Sequence, residues 1–144
     1  MKTVRDDDGT YYLLLKRSDE ASLVRDPETG NECYVGNDRL EDDDGVSPLE
    51  LSARAIPESV RRVVRAAHDD RSLGLLVELA ERGPLGVRTL LSETEYCERD
   101  LHGILVSLTA ADLLTQVEVD GERGYDVTEE CRSGLAGLRD ASTA

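Results

Sequence analysis

The side chains best able to hold a transition metal or act as nucleophiles are His68 and His102 with Cys33, Cys97 and Cys131. A zinc site needs converging donors, commonly paired as C-x-x-C or H-x-x-x-H, and neither spacing occurs. Cys97 and His102 are five residues apart, which sets them on poorly matched faces of one helix. Cys97 falls at a predicted helix start, where a thiolate is favoured, so redox sensing is the one reactive-thiol alternative; packing of a small side chain is the simpler reading. No G-x-x-x-x-G-K-[ST], G-x-S-x-G or G-x-G-x-x-G motif is present, so phosphate loops and nucleophile elbows are not expected. The acidic run Glu41-Asp42-Asp43-Asp44 lacks the ligand spacing of an EF-hand loop. The chain therefore reads as a non-enzyme with no catalytic residue, no metal and no cofactor.

Arginine is the remaining chemistry. The 144 residues hold 15 Arg but only two lysines, Lys2 and Lys16, against 31 acidic residues, for a net charge of -14. Such a surface repels itself in dilute buffer, and the repulsion fades when molar salt cuts the screening length to roughly 3 Å. Acid excess with scarce lysine points to a salt-adapted, halophilic proteome; an acidic protein with a basic partner is the alternative. In ordinary cytoplasm a pI near 4.5 argues against nucleic acid, because phosphate contacts and counterion release supply most of the affinity. In molar salt that contribution is nearly lost for every protein, so net charge stops being a veto. No apolar run approaches a membrane span, the opening MKTVRDDDGT lacks the apolar core of a signal peptide, and three scattered cysteines suit reduced thiols. A soluble, cytoplasmic protein is expected.

The elements that must position these groups fall into three segments. Within residues 1–50, the stretch 10–35 predicts an antiparallel β-meander: Tyr11–Leu15, Ser22–Arg25 and Glu32–Val35, with Asp26-Pro27-Glu28-Thr29-Gly30 as a turn. Tyr11 and Tyr12 should point to opposite faces; ordinary sheet packing explains them, and a small aromatic platform with Tyr34, able to meet a ligand or a protein partner, is the alternative. Residues 36–48 read as a solvated acidic linker. Residues 51–71 predict a connecting helix starting near Pro57, with Ile56, Val60, Val63, Val64 and Ala67 on one face. This is the one basic stretch, five Arg against Glu58, Asp69 and Asp70. Arg54, Arg61, Arg62 and Arg65 could face phosphate or an acidic partner, or simply form the outer face of a packing or dimerising helix.

Residues 72–138 carry the clearest pattern. Ser72 can cap a helix through Leu73, Leu75, Leu76, Leu79 and Ala80 that stops at Arg82-Gly83-Pro84. A short helix over 87–92 follows, then a third, capped by Thr94, with the stripe Leu101, Ile104, Leu105, Leu108. Strands over 114–119 and 124–127 flank the turn Asp120-Gly121-Glu122-Arg123, and Thr128 caps a final helix burying Leu135 and Leu138. Two stretches are diagnostic: Leu105-Val106-Ser107-Leu108-Thr109-Ala110-Ala111-Asp112-Leu113-Leu114, and Tyr125-Asp126-Val127-Thr128-Glu129-Glu130-Cys131. They resemble L-x-x-L-x-x-x-G-L-[LIV], the exit of the recognition helix, and Y-x-L-T-E-x-G, the exit of the wing, in winged helix-turn-helix transcription regulators of bacteria and archaea (MarR-, PadR- and ArsR-like). The resemblance covers 67 of the 144 residues. Asp112 and Cys131 stand where the pattern has Gly, and Asp is among the few non-Gly residues that tolerate left-handed backbone.

The resemblance implies an α+β protein: a C-terminal winged helix-turn-helix preceded by a small N-terminal β-meander and a connecting helix, with residues 139–144 as a flexible tail. It implies a homodimeric, DNA-binding transcription regulator whose third helix enters the major groove while the wing meets the backbone or minor groove. The exposed positions of that helix would then include Arg99, able to contact guanine, with His102, Val106 and Ser107 near base edges or phosphate, and Arg123 on the wing. Fold alone does not give function. A winged-helix protein-interaction module without direct DNA binding is the second reading, favoured by Glu95, Glu98 and Asp100 crowding the start of the third helix.

Overall fold

The computed structural model describes residues 1–140 and is mixed α+β, its described residues dividing into two compact units, 1–56 and 57–140. The first is a five-stranded antiparallel sheet in the order β4-β3-β2-β1-β5, formed by β1 (Lys2–Arg5), β2 (Tyr11–Lys16), β3 (Ala21–Arg25), β4 (Glu32–Gly36) and β5 (Glu41–Asp42). Strands β2 to β4 are the meander expected from the sequence. β1 and β5 are not. The acidic stretch read as a linker instead pairs Val4 with Asp42 and Arg5 with Glu41, and its charges are partly neutralised where Asp42 receives both Lys2 and Arg17 at 2.8 Å.

β4 and β5 are the two edges of this sheet, yet only four residues, 37–40, join them. Extended chain over that connection reaches at most about 17 Å, whereas four flat interstrand spacings need about 19 Å. The sheet must therefore curl into a half-open roll. The 3₁₀ turn Asn37–Arg39 is pinned across it by Ser22 Oγ donating to Asn37 Oδ1 (2.6 Å) and Asn37 Nδ2 donating to the Ser18 carbonyl (2.6 Å). A short helix α1 (Pro48–Ser52), capped by Ser47, contacts β1 and β2 and buries Leu51 with Leu13 fully. A 3₁₀ turn over Ala53–Ala55 ends the unit.

The second unit runs α2 (Glu58–Ala66), α3 (Asp70–Arg82), β6 (Leu85–Gly86), α4 (Val87–Glu93), α5 (Glu98–Ala110), β7 (Leu114–Val119), β8 (Glu122–Val127) and α6 (Glu129–Asp140). The expected connecting helix over 51–71 is thus divided: Arg54 belongs to the sheet unit, and α2 packs closely along α6. Residues 139 and 140, expected in a flexible tail, are the last turn of α6; the rest of that tail lies outside the described residues.

Leucines at spacings of three and four build the core: Leu75, Leu76 and Leu79 from α3, Leu101, Leu105 and Leu108 from α5, joined by Val63, Tyr125, Val127, Cys131 and Leu135. Each such leucine contributes about 2 kcal/mol on burial, which anchors the inner faces of α3 and α5. Capping sharpens the boundaries. Asp69, rather than Ser72, caps α3 by accepting from Ser72 N–H at 2.8 Å, and this bond holds its carboxyl below the usual range. Thr94 closes α4, donating to the Leu90 carbonyl (2.6 Å), while α5 begins after Cys97. Thr128 caps α6 as expected, accepting from Cys131 N–H at 3.1 Å.

β6 is an addition to the sequence reading. Its two residues join the hairpin as an edge, in the order β6-β8-β7, with Leu85 opposite Tyr125 and Gly86 opposite Gly124. The facing glycines let the backbones close in: a Cβ on Gly124 would sit 2.7 Å from the Leu85 carbonyl oxygen. The β7–β8 turn is tighter than expected, only Asp120 and Gly121, both with positive φ (50° and 82°), the geometry that Asp-Gly favours. Asp112 adopts φ 60° at the position where the resembling pattern has Gly.

Candidate nucleic-acid interface

Helix α5 owes its two-sided character to the stripe Leu101, Leu105, Leu108, which is buried and leaves Arg99, His102, Val106 and Ser107 exposed. Val106 is 51% exposed, comparable to Ile56 (50%) and Val64 (59%). β8 carries Arg123, also exposed, two residues past the tight turn rather than within it.

Arg99 and His102 from α5 and Arg123 from β8 line one open groove of about 470 Å³, floored by Val87, Leu91, Leu101 and Leu105, with Glu98 on the same wall. Val106 and Ser107 lie farther along α5 and do not line it. Arg99 and Arg123 make no ion pair among the described residues, whereas Arg62, Arg82, Arg88 and Arg139 each do. The groove thus holds two uncommitted guanidiniums, a histidine and a single carboxylate over an apolar floor. That set can accept an anionic backbone and touch a flat or methyl-bearing group.

Arg88 is a member of this surface that the sequence reading missed. Its side chain is 90% exposed at the start of α4, and its Nε lies 3.6 Å from Glu122 Oε2; the other carboxylate oxygen accepts from Arg88 N–H at 3.3 Å. The adjoining groove of about 480 Å³ includes Arg88, Glu122 and Arg123. The pairing of β6 with β8 is what brings α4 to the hairpin, so nothing local to Arg88 announced its position.

The four arginines expected to face phosphate or a partner fall in two units, Arg54 in the first and Arg61, Arg62 and Arg65 on α2 of the second. Arg54 lies in the sheet unit, its guanidinium 5.8 Å from the Tyr11 ring centroid. Arg62 is a strut: with its side chain only 28% exposed, it meets Glu58 at 3.2 Å, Asp112 at 3.2 Å and Glu130 at 3.9 Å, tying α2 to the α5–β7 turn and to α6. Arg61 is half-buried, and Arg65 is exposed on α2. The tyrosine platform is not formed either. Arg54 covers Tyr11, Tyr12 donates to Asp6 Oδ2 (3.2 Å) from the opposite face, and the register aligns Tyr34, two strands away, with Lys16 rather than Tyr11.

A second cleft, of about 610 Å³, lies between α3, α4 and the 94–96 turn. It is braced at both ends. Arg71 stacks on Tyr96 at 4.7 Å, and Arg82 grips both oxygens of Glu93 (3.0 and 3.2 Å), holding that carboxyl below its usual range. Among the described residues the one close grouping of potential metal donors is Asp6-Asp7-Asp8. Asp6 is spent within its own turn, where Oδ1 accepts from the N–H groups of Asp8 (3.0 Å) and Thr10 (2.9 Å). Cys33 and Cys97 are exposed, and Cys131 is buried, which pushes its thiol up to about 11.

The model of one family, described as a family of unknown function (DUF7346), matches residues 1–139. The chain belongs to that family. No curated protein and no solved structure matches it. The match spans residues of both compact units. Among the described residues no helix is long and apolar enough to cross a membrane.

Proposed function

We propose that residues 72–138 form a winged helix-turn-helix, of the kind found in MarR-, PadR- and ArsR-like regulators, and that the protein is a DNA-binding transcription regulator of a salt-rich cytoplasm. The order α3-β6-α4-α5-β7-β8 and the sheet order β6-β8-β7 support the fold reading. The observation that carries the functional reading is the convergence of Arg99, His102 and the distant Arg123 on one groove, with neither guanidinium in an ion pair among the described residues. In this reading α5 enters the major groove, Arg99 contacts guanine, Val106 meets a thymine methyl, Ser107 and His102 reach base edges or phosphate, and Arg123 holds the backbone beside the hairpin. A dimer would present two such helices to a pseudo-palindromic site.

The unfavourable factor is charge. Residues 57–140 hold ten Arg and seventeen acidic residues, and Glu95, Glu98 and Asp100 surround the start of α5. The reading therefore requires molar salt, where long-range repulsion is screened within about 3 Å and short-range contacts decide. The test is selection of bound sequences from a random DNA pool in molar potassium chloride. Arg99→Ala should cost about 1–3 kcal/mol and relax preference at one base position, while Arg123→Ala should weaken all sequences alike. Unchanged affinity and preference in Arg99→Ala removes the reading role of α5.

The apolar floor of the groove favours one second reading, a protein-interaction module in which Val87, Leu91, Leu101 and Leu105 receive a partner's side chain. It predicts no retardation of DNA at any salt concentration together with a defined protein partner.

A further inference from the structure

The outer edge of β4 is uncovered, and its backbone pattern is that of a strand awaiting a neighbour. The hydrogen bonds flanking the β3–β4 ladder fix which residues face inward. Asp26 N–H donates to the Asn31 carbonyl and Asn37 N–H to the Glu20 carbonyl, both at 2.8 Å. Antiparallel pairs alternate between bonded and non-bonded, so Asn31, Cys33, Val35 and Asn37 direct their backbone groups at β3, while Glu32, Tyr34 and Gly36 direct theirs outward. Glu32, Cys33 and Tyr34 are exposed, Tyr34 to 64%. Edge strands are commonly protected by proline, charged side chains, a bulge or short length. The five-residue β4, ECYVG, holds one charge, Glu32 at its first position, and no proline, and its ladder with β3 is regular throughout.

We infer that β4 pairs antiparallel with β4 of a second copy of this chain, in the register centred on Tyr34, joining two five-stranded sheets into one of ten strands. The strand is self-complementary in that register. Tyr34 faces the partner copy's Tyr34 in a bonded pair, and Glu32 faces Gly36 on either side, so all three outward residues are satisfied and no like charges oppose. Sliding the centre to Glu32 would set two carboxylates opposite each other, and sliding it to Val35 or Gly36 would run Glu32 past the end of the partner strand. A centre on Cys33 would set Glu32 opposite Tyr34 and bring the two Cys33 side chains together, so it is told apart by a crosslink that needs no added cysteine. With -14 on each chain, the pairing is opposed at low ionic strength and permitted in molar salt. This inference is independent of the DNA reading.

In the proposed register Cys33 lies opposite the partner copy's Val35 in a non-bonded pair, where Cα atoms approach to about 4.5 Å, within disulfide range. Val35→Cys in a Cys97→Ser background, treated with oxidised glutathione in molar potassium chloride, should give a disulfide-linked dimer on a non-reducing gel. The same background with Val35 intact should remain uncrosslinked. Sedimentation of the unmodified chain should show mass rising from one to two copies with protein concentration in molar salt. Tyr34→Pro removes an N–H that faces away from β3, so it should keep the circular dichroism of the parent chain and abolish the concentration dependence. A chain monomeric at every concentration, no crosslink in Val35→Cys, or a folded Tyr34→Pro protein that dimerises as before would each overturn the inference.

Discussion

The closest helix contact in the second unit gives a prediction whose sign can be worked out residue by residue. Gly134 lies on α6 where α2 crosses it: a Cβ there would fall 2.3 Å from the Ser59 carbonyl oxygen and 2.8 Å from Val63 Cγ2. Non-bonded atoms rest near 3.5–4.0 Å, and a backbone oxygen cannot turn aside, so in Gly134→Ala α6 must lift by roughly 1 Å. That movement loosens Val63 and Cys131, both fully buried. Overpacking of this kind costs about 1–3 kcal/mol, and the better helix propensity of alanine returns up to about 1 kcal/mol, leaving a net loss of roughly 1–2 kcal/mol. Gly74 on α3 and Gly103 on α5 are the controls, since a Cβ at either meets nothing within 4 Å. Gly74→Ala and Gly103→Ala should each gain about 0.5–1 kcal/mol. The assay is thermal melting of the helical circular dichroism signal in molar potassium chloride, where about 1 kcal/mol shifts the midpoint by a few degrees. If Gly134→Ala melts at or above the parent while both controls rise, the close α2–α6 crossing is refuted.

Arg62→Ala should destabilise by about 0.5–1 kcal/mol, screening by its exposed partners holding the effect down. The loss should grow as salt is lowered, because Glu58, Asp112 and Glu130 are then left facing one another; a loss independent of potassium chloride would show the strut is not electrostatic. Native protein should react with a thiol reagent at Cys33 and Cys97 only, Cys131 responding after denaturation. Since burial raises the Cys131 thiol from 9.0 to about 11, the fold favours the protonated form. The associated stability is present below pH ~9 and falls by roughly 2–3 kcal/mol as pH rises to ~11, and Cys131→Ala should flatten that part of the pH profile. Asp69→Ala should lower the melting temperature by removing the acceptor of Ser72 N–H. The depressed Asp69 carboxyl contributes stability above the usual carboxylate range that is lost as pH falls through its folded value; Asp69→Asn should keep the cap and lose that acid dependence, and an unchanged acid limb would refute the assignment.

The sequence alone determined whatever rests on short-range periodicity and turn chemistry. Leucines three and four apart specified the buried faces of α3 and α5, and with them the outward direction of Arg99 and His102. Short strand-like runs, with the turns Asp26-Pro27-Glu28-Thr29-Gly30 and Asp120-Gly121, specified β2 to β4 and the β7–β8 hairpin. Tertiary structure decided what depends on partners distant in the chain. β1, β5 and β6 are four, two and two residues long, too short for a hydrophobic period, and they are strands because a neighbour supplies the hydrogen bonds. The acidic run 41–44 looks like tether by composition, yet backbone pairing is indifferent to side-chain charge that stays in water or meets Lys2 and Arg17. The same distinction separates the arginines. One residue type gave a strut in Arg62, a ring cover in Arg54 and free groove cations in Arg99 and Arg123, because a guanidinium's role is set by the carboxylates and rings that the fold brings within a few ångströms, and no local pattern encodes those.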